Sequence, residues 1–466
     1  MKRRLSRLGV LFIVLFAILA IWDVRVQILQ RQAISERPGN PRRAMSNENR
    51  GMLLDAQGLP LAQTKGGRRI YPAGSSLAQL VGYSSPVYGE SGLEAALDSI
   101  LTPQGPTLTP LADVAGLFGR SQNRSSGTGG QAVLTLRRDI SDLVDAALPA
   151  TMRGAAIVLD PRNGAILAAV NRPTFDPNVL ATKWKDLRSR TDAPLLDRAL
   201  DGLYPPGSTF KMLTASAALD SGTFVKTDTL SDPGYYDISG FRVHNAEHEA
   251  TGTQTLVGAF ALSSNVDFAQ IGVRLGVDSF YDYLQRFHVG DDDGLLVSGS
   301  RDDVPAKSTI TPSELAQMSF GQGGLAVTPL RMALIGATIA NGGLLMRPQL
   351  VKAVRAPDRK AITIPPVPWE QAISSATAND VRDMMEAVVR YGTGTAAQLP
   401  GVAVAGKTGT ATHPGGPPDA WFVCFAPADR PRLVVAVVVE DVGYGGTYAA
   451  PIAKAILAGA LATYTR

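Results

Sequence analysis

Pro205-Pro206-Gly207-Ser208-Thr209-Phe210-Lys211, in the middle of the chain, is the stretch from which the fold and the chemistry can be worked out. Two prolines and a glycine end the preceding element, and the apolar, alanine-rich run at 212–219 predicts a buried helix whose first turn holds Ser208. Residues three apart share one helical face, so we expect Lys211 beside the Ser208 hydroxyl. A serine with an adjacent amine is a candidate nucleophile with its base, although a capping serine and a solvated lysine give the same pattern.

Two further short motifs downstream strengthen the catalytic interpretation. Ser263 and Asn265 follow an apolar stretch at 256–262, and Lys407-Thr408-Gly409-Thr410 lies inside a predicted strand at 402–411. Alone, the first is more typical of a helix cap, and the second of an ordinary strand end with a turn. The order S-x-x-K, S-x-N, K-T-G matches the signature of penicillin-binding proteins and serine β-lactamases. Together the three motifs predict a serine site that transfers acyl groups.

Length and composition indicate a folded protein of more than one domain. The chain has 466 residues, of which 45% are apolar and 18% charged, and its net charge is only +4. That length exceeds one ordinary hydrophobic core, and so small a charge gives no argument for a nucleic-acid partner. The single cysteine, Cys424, excludes an intrachain disulfide and a cysteine-rich metal site.

The N-terminus predicts a membrane anchor with the rest of the chain outside the cytoplasm. Basic residues at positions 2, 3, 4 and 7 precede an uninterrupted apolar run at 8–22. A helix of that length spans about 22 Å, short of a hydrocarbon core of ~30 Å, so Arg7 would snorkel at one end. A cleaved signal peptide has a similar length, but no A-x-A site accompanies the run. An uncleaved anchor with a cytoplasmic basic end is therefore expected.

Strand and helix patterns predict an α+β fold. Residues 155–170 are predicted to form a β-hairpin closed by an Asn163-Gly164 turn. Three more strand candidates and a closing helix lie far downstream, at 402–411, 421–426, 432–440 and 449–461. Helical patterns fill most of 180–390 between them. Strands at both ends with helices between predict one domain whose sheet pairs the two ends.

Given these motifs, the chain resembles a class B penicillin-binding protein, a peptidoglycan DD-transpeptidase, over nearly its whole length. Arg50-Gly51 with Asp55 and Gly58 resembles the pedestal motif of that family, although Ala56 stands where an arginine is common. Tyr88-Gly89-Glu90-Ser91-Gly92-Leu93-Glu94 resembles the short-pedestal, PbpA-like branch. Further likenesses are Asp160-Pro161 with Gly164, Pro173 with Asn178, and Phe320-Gly321-Gln322-Gly323 with Thr328-Pro329.

The resemblance implies three parts along the chain. They are a cytoplasmic tail and transmembrane anchor at 1–28, a small mixed pedestal (dimerisation-like) domain at 29–151, and a transpeptidase domain at 152–466. The last would contain a five-stranded antiparallel sheet flanked by helices. The protein would be a single-pass bacterial membrane protein with an extracytoplasmic catalytic domain. Its implied partners are stem peptides ending in D-Ala-D-Ala, β-lactam antibiotics and a SEDS-type glycosyltransferase, with no cofactor.

The catalytic residues expected on this basis are Ser208, Lys211, Ser263, Asn265 and Lys407. Attack on an amide needs a base, and an unperturbed lysine with a pKa of about 10.4 is almost fully charged at neutral pH. Burial and the Lys407 cation would lower the pKa of Lys211. Ser263 would relay the proton to the leaving amine, and Asn265 would hold Lys211 and the substrate amide.

Three further residues, Thr408, Gly409 and Thr410, are expected to bind substrate. The resemblance implies that the backbone N–H groups of Ser208 and Thr410 form an oxyanion hole and that both threonines hold a terminal carboxylate. A glycine between them would leave the strand bare for pairing with the substrate backbone.

A metal site is the first alternative to this interpretation. His244-Asn245-Ala246-Glu247-His248 fits H-x-x-E-H, an inverted zincin pattern. That pattern needs a long helix, whereas Gly240 and Gly252 flank the segment and it is not helix-periodic. A loop covering the site is expected instead, without a metal.

Two other functions also stay open. A serine β-lactamase or DD-carboxypeptidase would need a base for water, but no E-x-x-L-N segment lies between Ser263 and Lys407, and the approaches at Glu314 and Glu370 are incomplete. A non-catalytic sensor of β-lactams or peptides would need to signal inward through a seven-residue tail. The complete set of motifs favours the transpeptidase.

Overall fold

The computed structural model describes residues 15–16, 49–103, 128–246, 248–297, 299–356 and 360–464. Apart from Leu15 and Phe16, the predicted anchor at 8–22 lies outside these ranges. Within them, no helix is both long enough and apolar enough to span a bilayer. The anchor therefore stays a prediction.

A five-stranded antiparallel sheet forms the centre of the larger part of the molecule, as the sequence predicts. Its strands, in spatial order, are Ala405–Ala411, Asp419–Ala426, Leu433–Val439, Gly154–Asp160 and Ala165–Arg172. The predicted hairpin turn is present, with Gly164 at φ +74° and its N–H bonded to the Asp160 carbonyl at 2.9 Å. The last three strands of the chain thus pair with the first two strands of the domain.

Helices cover both faces of this sheet. All residues of Leu433–Val439 are buried, because side chains of a strand alternate between two faces and each face has its own apolar layer. Ala449–Tyr464 and Arg138–Ala147 pack on one face, and Pro329–Ala340 packs on the other. The remaining α-helices of this part are Leu180–Ser189, Lys211–Asp220, Leu256–Ala261, Asn265–Leu275, Val277–Arg286, Pro312–Met318 and Ser375–Arg390.

A second, six-stranded sheet forms the N-terminal part. Its strands, in spatial order, are Ile362–Thr363, Val351–Arg355, Gln131–Leu134, Leu53–Leu54, Pro60–Lys65 and Arg68–Ile70. Short helices at Ala78–Val81, Gly92–Ala96 and Asp98–Leu101 pack beside it. The first two strands in this order come from inside the range 152–466, so the N-terminal sheet borrows strands that the sequence-based division assigned to the transpeptidase domain.

Four two-stranded sheets complete the described strands. They are Ser84–Ser85 with Gly89–Glu90, Thr229–Asp232 with Gly252–Thr255, Tyr235–Ile238 with Phe241–His244, and Leu344–Met346 with Pro368–Gln371.

A buried ion network fixes the N-terminal part, and its members include the residues that carried the family resemblance. Glu94 is fully buried and accepts from Arg50 Nε at 2.7 Å and from Arg69 Nε at 2.6 Å. A second nitrogen of Arg50, Nη1, lies 3.1 Å from Glu90 and 2.5 Å from Asp98. Each buried charge therefore has a partner of opposite sign, which burial requires.

Candidate active site

A tight turn presents Ser208 at the start of the central helix. Gly207–Phe210 forms one 3₁₀ turn that continues into Lys211–Asp220. Gly207 has φ +52°, a conformation that favours glycine, and a Cβ there would lie 2.9 Å from the Thr410 carbonyl oxygen. Trp421 Nε1 donates to the Pro205 carbonyl at 3.1 Å and fixes the entry to the turn. The nucleophile candidate is thus held against the K-T-G strand.

The helix behind Ser208 is buried on all sides. Residues from Lys211 to Ala218 are all buried, and helices Asn265–Leu275, Val277–Arg286 and Ser375–Arg390 pack around it. Its alanines leave room for such close neighbours. The predicted buried helix is confirmed, and it carries a fully buried lysine in its first turn.

Ser263 lies between two buried lysine side chains. Lys211 Nζ donates to the Ser263 carbonyl at 2.7 Å and to Asn265 Oδ1 at 2.8 Å, and it lies 3.4 Å from Ser263 Oγ. Lys407 Nζ donates to the same Oγ at 2.8 Å. The structure therefore brings together the three motifs, which are up to 199 positions apart in the sequence (407 − 208).

Burial lowers the pKa of both lysines. Loss of water lowers the pKa of Lys211 well below its usual value, and the nearby Lys407 cation lowers it further against the opposing effect of Asp267 and Asp232. Burial lowers the pKa of Lys407 to about 7. Two like charges in one dry site are costly, so we assign the neutral amine to Lys211 and the proton to Lys407. A neutral Lys211 has the lone pair that a general base needs.

A hydrogen-bond network that the sequence did not predict positions Ser263 and Asn265. Asp232 Oδ2 accepts from Ser264 Oγ at 2.8 Å and from Asn245 Nδ2 at 2.6 Å. Asn245 Oδ1 in turn accepts the backbone N–H of Asn265 at 2.8 Å. Ser264 also caps helix Asn265–Leu275, and the preceding Ser263 adopts φ +62°. Asp232 and Asn245 therefore hold a strained turn in place.

The K-T-G strand lies at the edge of the sheet, with one side open toward the cleft. Among the described strands, Ala405–Ala411 pairs with Asp419–Ala426 alone, so its outer edge is available to another extended chain. A Cβ on Gly409 would lie 2.9 Å from Trp421 Cβ and 3.0 Å from the Pro206 carbonyl oxygen. Glycine is therefore needed here for the close approach of the Ser208 turn, a reason that the sequence did not reveal.

Thr393 is a further site residue that sequence reasoning missed. Its Oγ1 lies 2.5 Å from Thr408 Oγ1 and sets the orientation of that hydroxyl. The signal available was the segment Tyr391-Gly392-Thr393-Gly394, a glycine-rich turn directly after helix Ser375–Arg390. Such a turn does not by itself indicate which strand it contacts.

The open cleft above these residues has a volume of about 860 Å³. Its walls include the predicted residues Ser208, Ser263, Asn265, Thr408, Gly409 and Thr410. Lys211 and Lys407 lie buried beneath its floor. Phe241, Arg242, His244 and Tyr444 also line the walls. The cleft thus has room for an extended peptide across the serine and the edge strand.

The H-x-x-E-H segment does not form a helix. His244 ends strand Phe241–His244, His248 adopts φ +59°, and Glu247 lies outside the described residues. The two imidazole rings meet edge to face with centroids 4.5 Å apart. The segment borders the cleft, as expected of a covering loop.

Glu314 and Glu370, the two incomplete approaches to a lactamase motif, lie away from the site. Glu314 closes a capping box with Thr311 at the start of helix Pro312–Met318. Glu370 is exposed in strand Pro368–Gln371. Neither lines the cleft.

Comparison with known proteins identifies the family. Residues 154–458 match the penicillin-binding protein transpeptidase domain, and residues 50–125 match the penicillin-binding protein A dimerisation domain. The chain belongs to the penicillin-binding protein transpeptidase family. The sequence-based prediction of this family is confirmed, and the shorter match falls on the predicted pedestal range.

Relatives of this penicillin-binding protein share its full length. Peptidoglycan D,D-transpeptidase PbpA of Mycolicibacterium smegmatis is 34% identical, and that of Mycobacterium tuberculosis H37Rv is 32% identical, each over 99% of both chains. Together they confirm the predicted likeness to the PbpA-like branch.

Solved structures of the family share the fold. Penicillin-binding protein A of M. tuberculosis, as its ceftriaxone acyl-enzyme complex, superposes with a TM-score of 0.80 at 31% identity, covering 90% of this chain and 100% of that one. A D,D-transpeptidase domain from Eggerthella lenta gives 0.80 at 33% identity, covering 90% and 99%.

Proposed function

We propose that this chain is a serine peptidoglycan D,D-transpeptidase that crosslinks stem peptides through an acyl-enzyme on Ser208. The observation that carries the proposal is the Ser263 hydroxyl bridging two buried lysines beside the Ser208 turn, beneath a cleft bordered by an open strand edge. The relatives named as D,D-transpeptidases, and the β-lactam acyl-enzyme of a relative, support the same reaction.

Acylation follows from these positions. Ser208 Oγ attacks the carbonyl between the two terminal D-alanines while the neutral Lys211 amine takes its proton. Collapse of the tetrahedral intermediate breaks the amide, and the leaving amine receives a proton through Ser263. The backbone N–H groups of Ser208 and Thr410 would stabilise the oxyanion, each donor contributing about 2.7–4 kcal/mol to the transition state. Thr408 and Thr410 would hold the terminal carboxylate, and the buried Lys407 cation beneath them would attract it.

The second half-reaction returns the serine. An amine of a neighbouring stem peptide attacks the ester carbonyl, Lys211 and Ser263 move its proton to Ser208 Oγ, and a new amide forms. Hydrolysis would need a base for water instead. Among the described residues that line the cleft, Glu249 alone carries a carboxylate, and Glu314 and Glu370 lie elsewhere. This distribution favours transfer over the β-lactamase or DD-carboxypeptidase reaction.

Labelling tests the nucleophile. A fluorescent penicillin should modify wild-type protein once, and peptide mapping should place the label on Ser208. Ser208→Ala should abolish the label, whereas Ser313→Ala, in the first turn of helix Pro312–Met318 and not part of the cleft lining, should not change it. Label on another serine, or labelling that survives Ser208→Ala, would refute the assignment.

Turnover tests the fate of the acyl-enzyme. A thioester donor should be consumed faster when an amine acceptor is added, and the penicilloyl-enzyme should persist for many minutes. Rapid hydrolysis of penicillin that ignores added amines and disappears in Glu249→Gln would decide for a hydrolase.

We also propose the anchored topology and the partner that family resemblance implies. Residues 1–28 would form the cytoplasmic tail and single membrane span, 29–151 the pedestal and 152–466 the extracytoplasmic transpeptidase domain. A SEDS-type glycosyltransferase in the membrane would supply nascent strands. The basic residues before the apolar run at 8–22 support this orientation. Protease added to spheroplasts should reach residues beyond 24, and the protein should stay with membranes in high salt. A soluble form that begins near residue 21 would show a cleaved signal.

A further inference from the structure

A histidine and two carboxylates meet near the rim of the cleft, outside the acylation site. His413 follows strand Ala405–Ala411, Asp419 begins the next strand, and Asp441 lies two positions after the end of Leu433–Val439. His413 Nε2 lies 3.3 Å from Asp419 Oδ1 and 3.3 Å from Asp441 Oδ1. One ligand atom from each of the three residues lies within 4.8 Å of the others. Three neighbouring strand ends thus present a nitrogen and two oxygens to one point.

The ring nitrogen at this point is buried and has no hydrogen-bond partner among the residues that the structure describes. The other ring nitrogen, Nδ1, lies 3.3 Å from the Pro414 carbonyl oxygen. That oxygen only accepts hydrogen bonds, so Nδ1 carries the proton of the neutral ring. The lone pair of Nε2 then faces two carboxylate oxygens, which repel it unless a metal ion or a second ring proton lies between them. Metal-binding histidines are oriented in the same way, by a hydrogen bond from the other ring nitrogen to a backbone carbonyl.

The separations fit a tetrahedral ion better than a hydrogen bond. Zinc bonds to nitrogen and carboxylate oxygen measure about 2.0–2.2 Å, which places adjacent tetrahedral ligands roughly 3.3–3.6 Å apart. An N–H···O bond has its optimum at about 2.9–3.0 Å and aims at one acceptor. His413 Nε2 is instead equally far from two oxygens, at 3.3 Å.

The surrounding chain is shaped around the two carboxylates. Asp419 Oδ1 accepts the backbone N–H of Asp441 at 3.0 Å, and Asp441 Oδ2 pairs with Arg153. A Cβ on Gly416 would lie 2.4 Å from Asp441 Oδ1 and 3.4 Å from His413 Cε1. Glycine at position 416 therefore lets the turn close over the ligand atoms, and second partners fix both carboxylates in orientation.

We propose that His413, Asp419 and Asp441 bind one divalent transition-metal ion, with Zn²⁺ as the ion that best fits the donors. Imidazole with two carboxylates suits zinc, whereas Ca²⁺ and Mg²⁺ prefer more ligands, all of them oxygen. The ion would join the turn after the K-T-G strand to the loop after Leu433–Val439. Thr412, Pro418 and Gly443 from these segments line the cleft, so the ion would fix this part of its rim. No step of acyl transfer uses it.

Zinc titration of the full chain in detergent tests the site. Protein stripped with a chelator and then dialysed is titrated with Zn²⁺ against a chromophoric chelator. Wild type should bind at this site with a Kd below about 10 μM. His413→Asn and Asp441→Asn should each weaken binding by at least about 10-fold to 100-fold. His288→Asn is the matched control, because His288 contacts a single carboxylate, that of Asp291, and should leave binding unchanged.

Melting temperatures separate metal binding from folding. Zn²⁺ should raise the melting temperature of wild type and of His288→Asn but not that of His413→Asn. Asp441→Asn keeps the shape of the side chain, so a loss of binding in this variant is a loss of the ligand charge. Binding that survives both ligand variants, or that is lost on replacing His244 and His248 instead, would overturn the proposal. Absence of binding would also overturn the proposal. The cluster would then be a protonated histidine paired with two carboxylates. Penicillin labelling of the same samples tests Ser208 independently of the ion.

Discussion

Two of the places where the molecule buries charged groups treat them in opposite ways. In the N-terminal part, Glu94 lies between Arg50 and Arg69, so opposite charges neutralise each other out of water. In the active site, two lysines that would both be cations in water, Lys211 and Lys407, share the Ser263 hydroxyl. The first arrangement stabilises ionised groups, whereas the second lowers the pKa of each amine. One fold thus uses buried charges of opposite sign for structure, and two buried amines side by side for reactivity.

The largest expected effect is that of removing the base. Lys211→Ala should slow penicillin acylation of Ser208 by about 10²–10⁴-fold, the usual contribution of a general base. Its melting temperature should stay close to that of wild type. The variant no longer has the energetic cost of burying an amine, and this gain offsets the cost of the cavity that alanine leaves. Stopped-flow labelling and thermal unfolding measure the two quantities. Lys226→Ala, which removes a half-exposed lysine paired with Asp380, should acylate normally; an equal loss there would mean that the effect is not specific to the site.

Lys407→Met should uncouple stability from activity. A lysine whose pKa falls from 10.5 unfolded to about 7 folded costs at most roughly 5 kcal/mol of unfolding free energy below pH 7, and this cost disappears as the pH rises to 10.5. Methionine removes that cost, so the variant should melt at a higher temperature at pH 6, with a smaller gain at pH 9. Acylation should fall at the same time, because the cation beside Ser263 is lost. A lower melting temperature at pH 6 would contradict the assigned burial cost.

Glu94→Gln, in the N-terminal part, should lower stability and leave activity unchanged. Two buried guanidinium groups lose their shared carboxylate, so the free energy of unfolding should drop by about 3–5 kcal/mol. The folded fraction should still acylate at the wild-type rate. Asp98→Asn is the matched control, because Asp98 is 43% exposed and its pair with Arg50 should contribute no more than about 1 kcal/mol. Urea unfolding distinguishes the two variants, and equal losses would contradict the importance of burial.

The smallest expected effect is a change in the pH profile. Acylation by a neutral β-lactam should slow at low pH as Lys211 gains a proton, and slow again above about pH 7 as Lys407 loses its own. Lys407→Arg keeps a charge at all these pH values, so the alkaline decrease should disappear even if the rate is lower overall. An alkaline decrease that persists in Lys407→Arg would assign it to another group.

The sequence predicted those features that depend on local patterns. The hairpin at 155–170, the three C-terminal strands and the buried helix after Ser208 follow from alternation, apolar runs and turn residues, and all are present. The order of the three motifs predicted which residues converge, and Lys211, Ser263 and Lys407 do so.

The sequence did not predict features that depend on contacts between distant positions. Asp232 receives hydrogen bonds from Asn245, Thr251 and Ser264, which lie 13, 19 and 32 positions away, and no periodicity marks them. The local pattern around Asn245 instead suggested the metal motif H-x-x-E-H. A short motif does not show which backbone conformation the segment adopts. Strand Val351–Arg355 pairs with Gln131–Leu134 across more than 200 positions, which single-sequence patterns do not reveal.

That distant pairing has a consequence for the order of assembly. Gln131–Leu134 lies inside the six-stranded sheet only because Val351–Arg355 covers one of its edges. A nascent or truncated chain that ends at residue 151 would leave this edge unpaired and open to pairing with other chains. The N-terminal part therefore cannot complete its sheet until most of the catalytic part has left the ribosome, so the two parts mature together although the enzymatic residues all belong to one of them.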